Sequence, residues 1–64
     1  MIVVNGERYA YESVSVDTLI AELGIEPRGI AVARNGEVVR RSQWTNTMVV
    51  SGDLVEVVTA AAGG

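Results

Sequence analysis

The sequence predicts an α+β domain in which one mixed sheet, in the order β-β-α-β-β-β, wraps around a single helix. Three observations carry this. Asn-Gly occurs twice, at Asn5-Gly6 and Asn35-Gly36, each time between strand-like runs. One stretch changes to a helical period, with Val16, Leu19, Ile20 and Leu23 at i, i+3, i+4 and i+7. The last apolar run, Leu54–Thr59, is interrupted only by Glu56.

The elements follow in order. Met1–Val4 is the first strand. Asn5-Gly6 is a two-residue hairpin signal, because a type I′ turn needs positive φ at both central positions. Glu7–Glu12 is the second strand, and Tyr9 and Tyr11 share one of its faces. The helix starts after Ser15, a residue suited to accept from the backbone N–H groups of the first turn. Val14 before the cap and Leu19 after it match a hydrophobic staple. Asp17 lies favourably near the positive end of the helix dipole. Gly24 ends the helix, and Pro27 forbids its continuation. Ile30–Arg34 is the third strand, Asn35-Gly36 the second hairpin turn, and Glu37–Arg40 the fourth strand. Ser42-Gln43-Trp44 suits a turn or one helical turn, with Trp44 closing an end of the core. Thr45–Val50 has no clear period. Ser51-Gly52-Asp53 is a tight turn, with Asp53 serving the turn. Leu54–Thr59 is the last strand.

The chain has 64 residues, so one small domain is the ceiling. A chain of this size buries only about 60% of its unfolded surface. Per-residue scaling gives a stability of roughly 3–10 kcal/mol. There is no cysteine, histidine, lysine or phenylalanine. Disulfides, zinc fingers, thiol nucleophiles and histidine acid–base chemistry are thereby excluded. No nucleophile–base pair is on offer, so the chain is not expected to be an enzyme. The net charge is −3. Nucleic acid is a poor partner for it, since phosphate neutralisation needs clustered cations. The one basic cluster, Arg40-Arg41 with Arg34 nearby, reads as solvated strand ends. Asp17, Glu22, Glu26, Glu37 and Asp53 have no metal-ligand spacing, and no metal is expected. No apolar run approaches the roughly 18 residues of a membrane span. No signal peptide is visible, which leaves a cytoplasmic location as the default.

Alternation assigns faces. A lone glutamate in a small core is costly, so Glu56 points out and Val55 and Val57 point toward the helix. Ile2, Val4, Ile30 and Val32 join them. The opposite, open side of the sheet then collects Val3, Ala31, Ala33, Leu54 and Val58. Apolar surface of that kind marks a docking site for a partner.

The final five residues, Ala60-Ala61-Ala62-Gly63-Gly64, hold nothing larger than alanine. The expected division is a domain over residues 1–59 and a flexible tail over 60–64. Extended, five residues reach roughly 16–18 Å. A slim arm can thread a narrow channel and present an ionised α-carboxylate there. That carboxylate can attack the α-phosphate of ATP in a partner's active site. The acyl-adenylate is a good electrophile, and attack on it by sulfur leaves a thiocarboxylate.

Taken in order, Asn5-Gly6-Glu7, the capped helix Ser15–Leu23, Ile30–Asn35 and Val39 to Trp44 resemble the thiamin-biosynthesis sulfur carrier proteins, the ThiS family. So do Gly52-Asp53 leading into Val55-Glu56-Val57, and the closing Gly63-Gly64. The resemblance covers essentially the whole chain. It implies a ubiquitin-like β-grasp fold, in which the first and last strands lie parallel and adjacent at the sheet centre. It implies that Gly64 is adenylated by an E1-like enzyme of the ThiF type using ATP and Mg²⁺, with Gly63, Ala62 and Ala61 as its slim approach. Conversion to the thiocarboxylate then takes sulfur from a persulfide donor on a partner, and thiazole synthase (ThiG) accepts it. No cofactor is bound by the chain itself. Two departures from the family pattern are modest. Ser15 stands where threonine is common, and Ala61-Ala62 replace bulkier residues, which affects tail contacts rather than carboxylate chemistry.

Two other readings keep the same fold. One is the molybdopterin-synthase small subunit, or another ubiquitin-like sulfur carrier. The other, of a different class, is a non-catalytic ubiquitin-like interaction domain that binds through the open sheet face.

Overall fold

The computed structural model describes residues 1–59. The expectations for residues 60–64, including Ala61, Ala62, Gly63 and Gly64, lie outside the described residues. The two hairpin turns form as their chemistry demands. Asn5 and Gly6 have φ of 50° and 84°, and Asn35 and Gly36 have φ of 51° and 87°. The first turn joins β1 (Ile2–Val4) to β2 (Glu7–Tyr9), and the second joins β4 (Ile30–Arg34) to β5 (Glu37–Val39). Between the hairpins lies α1 (Val16–Glu22). Ser15 is its N-cap, accepting from the Thr18 backbone N–H at 3.4 Å. Val14 and Leu19 are both buried, as a staple requires.

The last strand among the described residues is β7 (Leu54–Thr59), which becomes the middle strand of a five-stranded sheet, β2-β1-β7-β4-β5. It runs parallel to β1 and antiparallel to β4. First and last strands are thus parallel neighbours at the sheet centre. Three expected strands are shorter, with the first beginning at Ile2 and the fourth ending at Val39. The second strand stops at Tyr9 rather than Glu12, and Ser13–Ser15 forms a separate strand, β3. The unassigned stretch before the last turn supplies β6 (Met48–Val50), which pairs antiparallel with β3. A two-stranded sheet therefore accompanies the main one. Arg41–Gln43 makes the single helical turn, of 3₁₀ type.

The core lies between α1 and one face of the main sheet, closed at the side by β3 and β6. Val16, Leu19 and Ile20 from the helix meet Ile2, Val4, Val32 and Val55 from the sheet, with Val14, Val49 and Trp44 completing the cluster. Ile30 and Val57 are only partly buried against it. No charged or polar side chain is buried among the described residues, so desolvation costs little here.

Candidate functional site: the open sheet face and the last strand

Helix α1 covers one side of the sheet, and the register shows what the other side presents. Val3 is the partner of Leu54 across β1 and β7. Ala31 is opposite Val58, and Ala33 opposite Glu56, across β4 and β7. Cross-strand partners share a face, so Val3, Ala31, Ala33, Leu54 and Val58 do come together. Leu54 and Val58 are 57% and 58% exposed. Val38 belongs with them and escaped the sequence reading. It is opposite Ala33 and 72% exposed. The two-residue turn at Asn35-Gly36 sets that pairing, so counting outward from the turn finds it. Glu56 stands in the middle of this apolar face, and Arg8, opposite Val3, lies at its margin.

The two turn asparagines also hold β7 in place. Asn5 Oδ1 accepts from the Val57 N–H at 2.8 Å, and its Nδ2 donates to the Val57 carbonyl at 3.0 Å. The carboxamide thereby stands in for the peptide group that β1, ending at Val4, does not provide. Asn35 does the same at the other end. Its Oδ1 accepts from the Leu54 N–H at 2.9 Å, and its Nδ2 donates to Asp53 Oδ1 at 3.1 Å. Asp53 Oδ2 accepts from the Val50 N–H at 2.9 Å, with the Arg34 guanidinium 3.7 Å away. The Val50 bond does most to hold the Asp53 carboxyl below its ordinary value; burial opposes it, and Asn35 and the charge of Arg34 add smaller lowering effects. Asp53 thus serves its turn, as expected.

Other candidates are absorbed into structure. Tyr9 is opposite the buried Ile2, so it lies on the helix side of the sheet, and Tyr11 packs against the same core. Neither borders the open face. Tyr11 Oη donates to Glu22 Oε1 at 2.5 Å, and Tyr9 Oη to Glu7 Oε1 at 2.9 Å. Those carboxylates raise both phenol pKa values. Trp44 is 6% exposed, and its Nε1 donates to the Val39 carbonyl at 3.0 Å. Arg41 stacks on its ring at 4.4 Å and donates to the Pro27 carbonyl. Arg34 donates to the Met48 carbonyl at 2.8 Å. The basic cluster is therefore spent largely on internal contacts. Among the described residues no group of acidic side chains is arranged to hold a metal, and no helix is long and apolar enough to cross a membrane.

A single helix held by a mixed sheet, with first and last strands parallel at its centre, defines a ubiquitin-like β-grasp protein. The model of the ThiS family matches residues 1–64. The chain is 33% identical to the sulfur carrier protein ThiS of Thermus thermophilus over the full length of both. It is 39% identical to a thiazole synthase of Paramagnetospirillum magneticum, over 98% of this chain but only 20% of that protein's length. The crystal structure of the thiamine biosynthesis protein ThiS from Geobacter metallireducens superposes with a TM-score of 0.83. It is 33% identical, and 98% of this chain and 97% of that one are covered. The solution structure of a thiamine biosynthesis protein from the same organism gives 0.74, covering 98% and 86%. The chain belongs to the ThiS family.

Proposed function

We propose that the chain is a sulfur carrier protein of thiamine biosynthesis, a cosubstrate rather than an enzyme. The observation that supports this most directly is the family match along the entire chain, joined by the match to a full-length ThiS. The relatives favour thiamine over molybdopterin as the pathway. Gly64 is the residue that carries the chemistry. Its carboxylate attacks the α-phosphate of ATP in an E1-like adenylating enzyme, which supplies Mg²⁺, and pyrophosphate leaves. The terminal sulfur of a persulfide on a partner then displaces AMP, and a second thiol of that partner cleaves the resulting acyl disulfide, leaving the thiocarboxylate on Gly64 and a disulfide on the partner. Thiazole synthase accepts the sulfur, and the similarity to a thiazole synthase supports that partnership. Gly63, Ala62 and Ala61 keep the approach to Gly64 slim. Val3, Ala31, Ala33, Leu54 and Val58, extended by Val38, form the surface on which the partner enzymes dock.

The test is an intact mass. The chain is incubated with ATP, Mg²⁺, its adenylating enzyme, a persulfide source and a thiol reductant. The expected product gains the mass of one oxygen replaced by one sulfur, and fragmentation places it on Gly64. A chain lacking only Gly64 keeps the same melting temperature and gains nothing. An unchanged mass for the whole chain, or a gain by the shortened one, overturns the assignment.

A further inference from the structure

The Asn5-Gly6 and Asn35-Gly36 turns stand on either side of the first half of β7, and between them lies an open slot of about 380 Å³. Val3, Leu54, the two turn glycines and Glu56 line it. A Cβ built on Gly6 or Gly36 meets no atom within 4 Å, so the turns leave the slot unobstructed. Its polar chemistry is one-sided. The Asn5 carboxamide spends both its atoms on Val57, and the Asn35 carboxamide on Leu54 and Asp53. The one charged side chain lining the slot is Glu56. Among the described residues its carboxylate takes part in neither of the ion pairs and in none of the side-chain hydrogen bonds. Glutamate is a poor strand former, yet it occupies the central strand with Leu54 and Val58 on the same face.

We propose that this slot receives an arginine side chain of a protein partner, its methylene stem on Leu54 and Val3 and its guanidinium on Glu56. Three physical points select that occupant. A partner that covers the face takes Glu56 out of water, and an unpaired buried carboxylate is costly. The covering surface must therefore bring a cation to this position. An anion is repelled by Glu56, and one N–H of each turn carboxamide is already engaged. Arginine combines an apolar stem with a planar, weakly hydrated head that pairs a carboxylate through two bonds. This inference rests on the docking role proposed for the outer face, and its test separates the two.

The first measurement needs no partner. The ¹⁵N-labelled chain is titrated with N-acetyl-arginine-amide and, separately, N-acetyl-norleucine-amide. Arginine-amide is expected to shift the amides of Gly6, Gly36, Leu54 and Glu56, and Glu56→Gln to abolish the response. An equal response to norleucine-amide, or an undiminished one in Glu56→Gln, overturns the slot assignment. The second is affinity for thiazole synthase at low and high salt. Glu56→Gln is expected to bind about three- to tenfold more weakly at low salt and to flatten the salt dependence, with an unchanged melting temperature. Val58→Asp weakens binding by placing a second carboxylate on the apolar face, whatever group meets Glu56. If Val58→Asp weakens binding and Glu56→Gln does not, the arginine inference falls and the face remains. If neither does, the face reading falls, and the amide titration decides the slot by itself.

Discussion

Asp53 concentrates more of the turn chemistry than any neighbouring residue. Its side chain is only 13% exposed and takes two hydrogen bonds, from Val50 and Asn35, with Arg34 close by. All three favour the ionised form, so the folded-state pKa lies below the ordinary 3.8. The sign follows from linkage. The unfolded chain binds this proton more readily than the folded one. The stabilisation is fully present above 3.8 and disappears as pH falls through the lower folded value. Asp53→Asn keeps the shape but removes the charge and turns an NH₂ toward one of the donors. The expected cost is about 1–2 kcal/mol at neutral pH. Urea denaturation of both proteins at neutral pH and at low pH checks it. The gap between them should narrow in acid, and a gap that stays constant would mean that the charge is not its source.

The last strand depends on borrowed peptide groups. β1 ends before it can satisfy Val57, and Asn5 completes the ladder with its side chain. Asn5→Gly isolates this effect, because glycine accepts the φ of 50° without strain while losing both bonds. A loss of about 1–2 kcal/mol is expected. The Val57 amide should exchange much faster with solvent, while the Leu54 amide, held by Asn35, should not. Equal acceleration at both would show general loosening instead. The asparagines also mark how far sequence reading reaches. Their turn role was legible, because Asn-Gly encodes a local dihedral requirement. Their clamp on β7 was not, because it depends on which strand lies beside the turn. The helix, its Ser15 cap and the outward Glu56 were legible from period and charge. β3 and β6 were not, because each is three residues long, buries one valine, and finds its partner far along the chain. The alternation of Tyr9 and Tyr11 suggested one continuous strand. The chain instead leaves the sheet after Tyr9 to build that second pairing. The open face was legible almost completely from alternation, with Val38 missing because its register comes from a turn and not from its own neighbours.

At the scale of the molecule, the two faces of the sheet differ in what they bury, and the proposed docking role falls on the outer one. The inner face, with α1, supplies the core, and the outer face holds Leu54, Val58 and Val38, each more than half exposed. Substitutions on the two sides should therefore fail in different ways. Leu19 is fully buried, and Leu19→Ala leaves a cavity worth about 2–5 kcal/mol. For a domain with roughly 3–10 kcal/mol in total, that is a large drop in melting temperature. The fraction that remains folded keeps its outer surface and should bind thiazole synthase with unchanged affinity. Val58→Asp does the reverse. Its side chain already meets water, so stability should change by no more than about 1 kcal/mol. A partner that covers the face must desolvate the new carboxylate beside Glu56 without a second counter-charge, and affinity should fall at least about tenfold. Thermal denaturation and titration against thiazole synthase, run on the same two variants, separate the outcomes. If Val58→Asp binds as tightly as the natural chain, docking uses another surface. If it unfolds as readily as Leu19→Ala, the outer face contributes to folding and the division of labour between the faces is lost.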